Sequence, residues 1–378
     1  MSKCAVLRAD NYNADDIYNI VKKHFEFHGI ENEIPKDAKV VIKPNLLSDK
    51  EAYFSINTNP AFVFAIIRYL KDIGINDITV ADCPGGSVLL FTQMQEVYRR
   101  AEYDFLTEQV KLNLDFESSD IYGSADFVNK KFNIINVIKN ADYLINVPKL
   151  KTHSMTGITA GVKNLFGCIP GLQKPAFHAR YPKTDDFSNM LVELAATVKP
   201  DFTIVDAIDI MEGNGPANGT KRHLGATFSS KDVFALDAFI AEKMQVPTDM
   251  VKTLVAAEKK GFVTEKIEAV GDIEFCVDRP LELPAPLKEK TSASKFAATF
   301  KIMLDRIDER FFKIYPQMND KCILCRKCVT TCPMHALKIE NRKVILNKKD
   351  CIGCLCCDEI CPQGAVDIIK KFDIRKVK

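Results

Sequence analysis

The chain has 378 residues, of which 47% are hydrophobic, so it is long enough for two domains with buried cores and is not generally disordered. Its 52 basic and 50 acidic residues give a formal net charge of +2, which argues against nucleic acid or an anionic membrane as the main partner. The N-terminus lacks the apolar run of a signal peptide, and the most apolar stretch, PAFVFAIIRYL, is too short to span a membrane and contains Arg68. We therefore expect a cytoplasmic protein with reduced cysteines that are available for metal.

The first part of the chain alternates between strand-like and helix-like segments. The strand-like segments, such as AKVVIKPNLL and ADYLINVP, are continuous apolar runs, which is typical of strands covered by helices on both faces. The helix-like segments carry apolar residues at spacings of three and four, as Ile17, Val21 and Phe25 do in the first of them. This alternation predicts an α/β domain over residues 1–278, with a mostly parallel sheet, flanking helices and a ligand crevice outside the carboxyl ends of the strands.

The composition changes from Arg279 onwards. Three prolines in RPLELPAPLKEK indicate a linker, and SASKFAATFKIMLDRIDERFFKIYP has the pattern of a helix that ends at Pro316. We therefore expect a linker and connecting helix over residues 279–317, followed by a small C-terminal α+β domain over residues 318–378.

Nine of the 13 cysteines lie in that last domain, in two copies of one motif. KCILCRKCVTTCP and DCIGCLCCDEICP superimpose with an offset of 29 residues, and both have the spacing C-x2-C-x2-C-x3-C-P. This spacing is typical of proteins with two [4Fe–4S] clusters, in which the fourth cysteine of each copy binds the cluster of the other copy. The predicted ligands are Cys322, Cys325, Cys328 and Cys361 for one cluster, and Cys351, Cys354, Cys357 and Cys332 for the other.

Two structural zinc sites are the alternative interpretation of these cysteines, but zinc sites usually consist of two separated pairs of ligands. The remaining thiol, Cys356, is either a small buried side chain or a neighbour that tunes one cluster. The last 60 or so residues resemble the bacterial-type two-cluster ferredoxins. That resemblance implies a ferredoxin-like domain that carries out one-electron transfer.

Polar residues and glycines follow four of the predicted strands, in KPNLL, in DCPGG, in the long segment from Asn146 to His178, and in VDAIDIMEGNGPANG. Basic residues that cluster with glycine and threonine predict a site for an anionic ligand such as phosphate or carboxylate. The candidate ligand-binding residues are Lys43, Asn45, Lys149, Lys151, Lys163, Asn164, Glu212 and Asn214, and the candidate catalytic residues are His153 and His178. Each also has a simpler interpretation, as a solvated lysine or a hydrogen-bonded structural histidine.

The motifs KPNLL, DCPGG, NVPKLKTH, GVKNLFGCIPG and MEGNGPANG, in this order, resemble those of the domain-of-unknown-function family numbered 362. The resemblance covers about residues 1–275 and implies that the polar residues of these motifs share one pocket. Cys83 and Cys168 lie within two of the motifs. They are either ligands of a third metal or buried apolar thiols, and we favour buried thiols.

Three functions fit these features. The first is an iron–sulfur electron-transfer protein or oxidoreductase that passes electrons through two [4Fe–4S] clusters to a small anionic ligand or a redox partner protein at the α/β domain, as in anaerobic metabolism. The second is a non-redox ligand- or metal-binding enzyme, of the isomerase or hydrolase type, with structural or sensing clusters. The third is a carrier whose large domain docks on a larger redox enzyme.

Overall fold

The computed structural model describes residues 1–85, 91–171, 173–263, 266–284 and 312–372. The strands described up to residue 284 are β1 (Ser2–Arg8), β2 (Val40–Pro44), β3 (Ile78–Val80), β4 (Lys111–Leu112), β5 (Ser118–Tyr122), β6 (Lys131–Ile135), β7 (Tyr143–Val147), β8 (Lys149–His153), β9 (Gly157–Thr159), β10 (Phe202–Glu212), β11 (Thr220–Ser230) and β12 (Ile267–Gly271). The helices described in the same part are α1 (Ala14–His28), α2 (Pro60–Asp72), α3 (Phe91–Arg100), α4 (Asn136–Lys139), α5 (Gly161–Asn164), α6 (Gln173–Arg180), α7 (Thr184–Val198), α8 (Val233–Lys243) and α9 (Lys252–Lys259).

The main path of the large sheet has the strand order β12-β1-β11-β10-β7-β2-β3-β4. The pairs from β10 through β7, β2 and β3 to β4 are all parallel, and β1 also runs parallel to β12. The two exceptions on this path are the antiparallel pairs of β11 with β1 and with β10. The prediction of a mostly parallel sheet is therefore confirmed.

One detour in this sheet shapes the site. After Pro148 the chain leaves β7 and continues as β8, which pairs with β10 at Asp206 and Met211 and then forms an antiparallel pair with β9. All five residues of β8 are buried, including its two lysines and its histidine. The detour carries these polar side chains beyond the carboxyl end of the parallel sheet.

Helices cover both faces of the sheet, as the continuous apolar strands predicted. Ile17, Val21 and Phe25 of α1 lie fully buried in one core that also contains residues of α2. On the opposite face, Met190 and Leu191 of α7 belong to a second core. The predicted stripe of α1 thus packs as the sequence indicates.

The C-terminal module begins with a strand where the sequence predicted a helix. Its elements are β13 (Phe312–Met318), α10 (Lys327–Thr331), β14 (Leu337–Glu340), β15 (Lys343–Leu346), α11 (Cys356–Glu359) and β16 (Val366–Phe372). Because β13 pairs antiparallel with β16, the prediction of a helix that ends at Pro316 is wrong for residues 312–316. Pairing with a strand more than 50 residues further along the chain overrides the local helical pattern. The other residues of that predicted helix, 292–311, lie outside the described residues.

The start of the predicted linker, residues 279–284, packs against the α/β domain. The Arg279 guanidinium contacts the Glu212 carboxylate, and the backbone N–H of Glu282 donates to the same carboxylate at 3.1 Å. Leu281 is buried. Residues 279–284 therefore extend the α/β domain.

Contacts between named residues dock the module on the α/β domain. The Asn218 amide donates to the backbone and side-chain oxygens of Asp358, both at 3.1 Å. Leu355 is buried in the same core as α7, and Lys327 lies 3.6 Å from Asp49. The second cysteine-rich loop is thereby held against the α/β domain, and the first contacts it at Lys327.

Candidate functional site

A crevice of about 760 Å³ lies where the C-terminal module meets the carboxyl ends of the strands. The chain places six of the predicted site residues in its wall: Asn45, Lys151, His153, Lys163, Asn164 and His178. Asp82, Cys83 and Lys174 complete the α/β side, while Cys356 and Glu359 belong to the module. The crevice is therefore a joint product of the two domains, at the sheet edge where ligands of open α/β folds bind.

Three lysines make the α/β side of the crevice basic. The Lys151 ammonium donates to Oδ1 of Asn45 and to the carbonyl of Ile56, both at 2.6 Å. Burial, together with the charges of Lys163 and Lys149, lowers the pKa of Lys151 to about 7. Burial also lowers the pKa of Lys163 and Lys174. Buried cations of this kind lack water, and an anionic ligand is the partner that compensates them best.

His153 is oriented by the backbone that follows it. The N–H of Met155 donates to Nδ1 of His153 at 3.1 Å, so the proton of the neutral imidazole is on Nε2. Nε2 lies 3.1 Å from Oε1 of Glu359, yet neither atom makes a hydrogen bond of normal geometry with a described residue. Burial lowers the pKa of His153, and the nearby Lys163 lowers it further. The ring therefore presents a proton to the crevice.

His178 is the second imidazole of the crevice. Its ring stacks on Phe187, with 4.3 Å between the ring centroids and 22° between the planes. Burial lowers the pKa of His178 to about 4. Its Nδ1 is buried and has no hydrogen-bond partner among the described residues. Two neutral imidazoles with available nitrogens thus line one cavity.

Glu359 carries a negative charge into this basic crevice. Burial raises the pKa of its carboxyl, but His153, Lys163 and His178 outweigh that effect, so the pKa lies well below its ordinary value. An ionised carboxylate from the module therefore faces the groups that were predicted to bind an anion.

Four predicted ligand-binding residues lie outside the crevice wall. Lys43 is fully buried and donates to Oδ1 of Asp82 at 2.7 Å, so it positions Asp82 instead of facing the cavity. Lys149 donates to Asp206 at 2.8 Å, and Glu212 pairs with Arg222 and Arg279. Asn214 lines a separate polar groove between the domains. Lys43, Lys149 and Glu212 are therefore held by oppositely charged partners, and Asn214 lies in another groove, so none of the four lines the crevice.

The eight predicted cluster ligands gather around two small cavities of about 350 Å³ each. Cys322, Cys325, Cys328 and Cys361 line the first, and Cys332, Cys351, Cys354 and Cys357 line the second. We refer to these as the outer and the inner cavity. Each combines three thiols of one repeat with the last thiol of the other, which is the crossed grouping that the spacing predicts.

The two repeats also match in their backbone. The N–H of Ala336 donates to Sγ of Cys332 at 3.3 Å, and the N–H of Ala365 donates to Sγ of Cys361 at 3.2 Å. Leu324 and Gly353, which occupy equivalent positions, both have left-handed backbone conformations. Such turns aim backbone N–H groups at the sulfurs, which favours a negatively charged cluster.

The thiols fit a cluster better than a single ion. Among the described residues no three Cys, His, Asp or Glu side chains converge closely enough for one metal ion. A tetrahedral zinc ion requires four ligands at about 2.0–2.3 Å, whereas a cubane occupies the middle of the cavity and contacts sulfurs at its separate corners. The cavities therefore suit the iron–sulfur interpretation.

Three further cysteines that the sequence analysis singled out divide between core and interface. Cys83 and Cys168 are buried in the apolar core, and burial raises the pKa of each to about 12, as expected for protonated thiols. Cys356 lies in the wall of both the crevice and the inner cavity. It is the point at which the two sites adjoin.

Sequence reasoning missed Glu359, Asp82 and Lys174 as site residues. Asp82 lies in the DCPGG motif and Lys174 lies in the segment that ends at His178. A charged residue in either motif could have been predicted to belong to the site. No sequence signal identified Glu359, because its position two residues before Cys361 indicates only that it belongs to the cysteine-rich module.

Comparisons with known proteins agree with this division of the chain. Residues 40–242 match the family model described as domain of unknown function (DUF362), and residues 321–365 match the 4Fe-4S dicluster domain. The C-terminal module is accordingly an iron–sulfur cluster-binding domain. No helix among the described residues is long and apolar enough to cross a membrane.

A thylakoid-associated protein of Synechocystis is 31% identical over 285 residues, which cover 74% of this chain and 84% of that protein. An uncharacterized ferredoxin of Methanocaldococcus jannaschii is 42% identical over 45 residues, 12% of this chain and 73% of the ferredoxin. Among solved structures, the lactate racemase apoprotein from Thermoanaerobacterium thermosaccharolyticum is 14% identical with a TM-score of 0.39, covering 65% of this chain and only 57% of the racemase. The family match and the first relative show that the chain belongs to the DUF362 family and carries a 4Fe-4S dicluster domain.

Proposed function

We propose that this protein is an iron–sulfur electron-transfer protein that holds two [4Fe–4S] clusters and exchanges electrons with an anionic ligand in the crevice. The outer cavity would hold one cluster and the inner cavity the other, each through four thiolates. When bound, the clusters supply single electrons at a potential between about −700 and +450 mV. The observation that carries the proposal is the position of Cys356, which lies in the walls of both the inner cavity and the crevice.

The crevice residues have distinct tasks in this proposal. Lys151, Lys163 and Lys174 bind the anionic group of the ligand by charge. His153 donates the proton on Nε2, since its Nδ1 is occupied by a backbone N–H. Such a donor prevents negative charge from accumulating on a ligand that gains an electron. The module covers one side of the crevice with Cys356 and Glu359, and the burial of the lysines strengthens each of these charge interactions.

A spectroscopic experiment tests the link between crevice and inner cavity. Anaerobically reduced protein is examined by electron paramagnetic resonance with and without sulfate, a dianion that does not titrate near neutral pH. We expect sulfate to shift the signal of one cluster only, and we expect Lys163→Ala to abolish the shift without loss of iron. If calorimetry shows that sulfate binds but the electron paramagnetic resonance signals do not change, the crevice is not coupled to either cluster, and the proposal is contradicted.

A second candidate function rests on the two imidazoles. Nε2 of His153 and Nδ1 of His178 are both buried without hydrogen-bond partners among the described residues, and both histidines line the crevice. This pair suits proton transfer without redox chemistry, as in an isomerase or hydrolase, with structural clusters. Clusters that are not reduced reversibly at accessible potentials would favour this candidate. Reversible reduction of both clusters would favour the first.

A further inference from the structure

The charges of the C-terminal module are unevenly distributed. Residues 312–372 contain eleven basic and six acidic residues, although the whole chain has a net charge of only +2. Two of the six acids, Asp358 and Glu359, face the α/β domain, where they contact Asn218 and His153. The docked face of the module is therefore acidic, which leaves a strongly basic surface towards solvent.

The basic surface includes the loop that forms the outer cavity. In KCILCRKC, Lys321, Arg326 and Lys327 are all exposed, and Lys327 lies 3.6 Å from Asp49. Asp320, just before the loop, is the nearest acid in sequence. Ile323 stands in the middle of this loop with 61% of its surface exposed. An exposed apolar side chain close in sequence to several exposed cations suits a docking site for a partner of opposite charge.

The same loop gives access to the outer cavity. Cys325 is exposed, and Cys322 and Cys328 are partly exposed. By contrast, Cys351, Cys354 and Cys357 of the inner cavity are each only 8% exposed. Since the inner cavity adjoins the crevice through Cys356, the outer cavity is the one that an external protein reaches.

We propose that the loop Lys321–Cys328, with Ile323 at its centre, is the docking surface for an acidic one-electron carrier protein. This inference rests on the proposed electron-transfer function and adds the partner and its place of docking. One electron passes between the carrier and the outer cluster, so that one is oxidised as the other is reduced, and no covalent bond forms or breaks. The inner cluster then connects the outer cluster to the crevice ligand.

A binding experiment with a defined probe tests the docking surface. Calorimetry measures the affinity of the cluster-loaded full chain for oxidised flavodoxin, an acidic carrier protein, at low and at near-physiological salt. We expect binding that weakens as salt rises, because exposed charges are screened beyond a Debye length of about 8–10 Å. The double variant Lys321→Glu, Arg326→Glu should bind at least tenfold more weakly at low salt. The matched control Lys348→Glu, Lys349→Glu makes the same charge change outside this loop and should bind within twofold of the wild type.

Three outcomes would overturn the proposal. The first is undetectable binding of flavodoxin at low salt, and the second is an equal loss of flavodoxin affinity in both double variants. The third is a salt-dependent self-association that the Lys321→Glu, Arg326→Glu variant abolishes. This third outcome would assign the loop to contact with a second copy of this chain. Iron content and reduction by dithionite should match the wild type in all variants. Failure of docking is therefore distinguishable from failure of the electron-transfer function, which would appear as clusters that dithionite does not reduce.

Discussion

Nε2 of His153 lies 3.1 Å from Oε1 of Glu359, which brings a strand of the α/β domain next to the last turn before Cys361, a predicted cluster ligand. Glu359 is the last residue of α11, whose Cys356 and Cys357 line the inner cavity, and Cys361 of the outer cavity follows two residues later. A change of charge in the crevice therefore occurs next to the cluster domain.

Glu359→Gln should tighten binding of sulfate in the crevice. The Glu359 carboxylate repels an anion that binds in the basic crevice. Removal of this like charge is worth about 1–2 kcal/mol of binding free energy, which corresponds to a gain of about tenfold in sulfate affinity. Calorimetry with sulfate measures the change, and iron content should stay at the wild-type value. Asp358→Asn is the matched control, because Asp358 bonds to Asn218 outside the crevice. Sulfate affinity that falls or stays constant in Glu359→Gln would place the anion elsewhere.

Sulfate affinity should fall as pH rises through neutrality. Burial holds the pKa of Lys151 near 7, so this ammonium is charged below that pH and neutral above it. Bound sulfate favours the charged form, hence binding takes up a proton when the pH is near or above 7. Titrations between pH 6 and pH 8.5 should show this decline, and Lys151→Met should show weaker binding with a smaller decline. An affinity that is constant over this range in the wild type would contradict the assignment of Lys151 to the site.

Lys149→Ala should destabilise the α/β domain. The Lys149 ammonium lies 2.8 Å from Asp206 and donates to the Tyr12 hydroxyl, with both charged side chains almost completely buried. Removal of Lys149 leaves the buried Asp206 carboxylate without its cationic partner, which costs about 3–5 kcal/mol. Denaturant unfolding followed by circular dichroism measures the loss. Lys111→Ala removes an exposed ion pair with Asp77 and should cost about 0–1 kcal/mol. A similar loss of unfolding free energy in the two variants would show that the buried Lys149–Asp206 pair contributes no more to stability than an exposed ion pair.

Cys332→Ala and Cys361→Ala should damage different clusters. If ligation is crossed, Cys332→Ala spares the cluster bound by Cys322, Cys325 and Cys328 and harms the other. Cys361→Ala should do the reverse. Wild-type protein prepared without oxygen should contain about eight iron and eight sulfide from two cubanes, and Mössbauer or electron paramagnetic resonance spectra should distinguish the two sites. Loss of the first-repeat cluster in Cys332→Ala would mean that each repeat binds its own cluster.

The sequence alone was sufficient for the features that depend on local spacing. The thiols of one repeat lie within eleven residues, so their relative positions depend on a few turns, and the crossed grouping of Cys332 and Cys361 agrees with the two cavities of the structure. The alternation of β2, α2 and β3 was equally readable, because helices and parallel strands differ in the period of their apolar residues. Local pattern failed at residues 312–316, where pairing with β16 prevails.

Only the tertiary structure decided which polar residues share the crevice. Lys149 and Lys151 are two residues apart on one strand, yet Lys149 binds Asp206 and Lys151 faces Asn45, because burial allows each ammonium to stay only where an oxygen compensates it. Glu359 is more than 200 residues from His153 in sequence, and its contact depends on how two domains pack. Spacing along the chain determines what a short loop can bind, whereas the pairing of distant buried charges is determined only once the whole fold has excluded water around them.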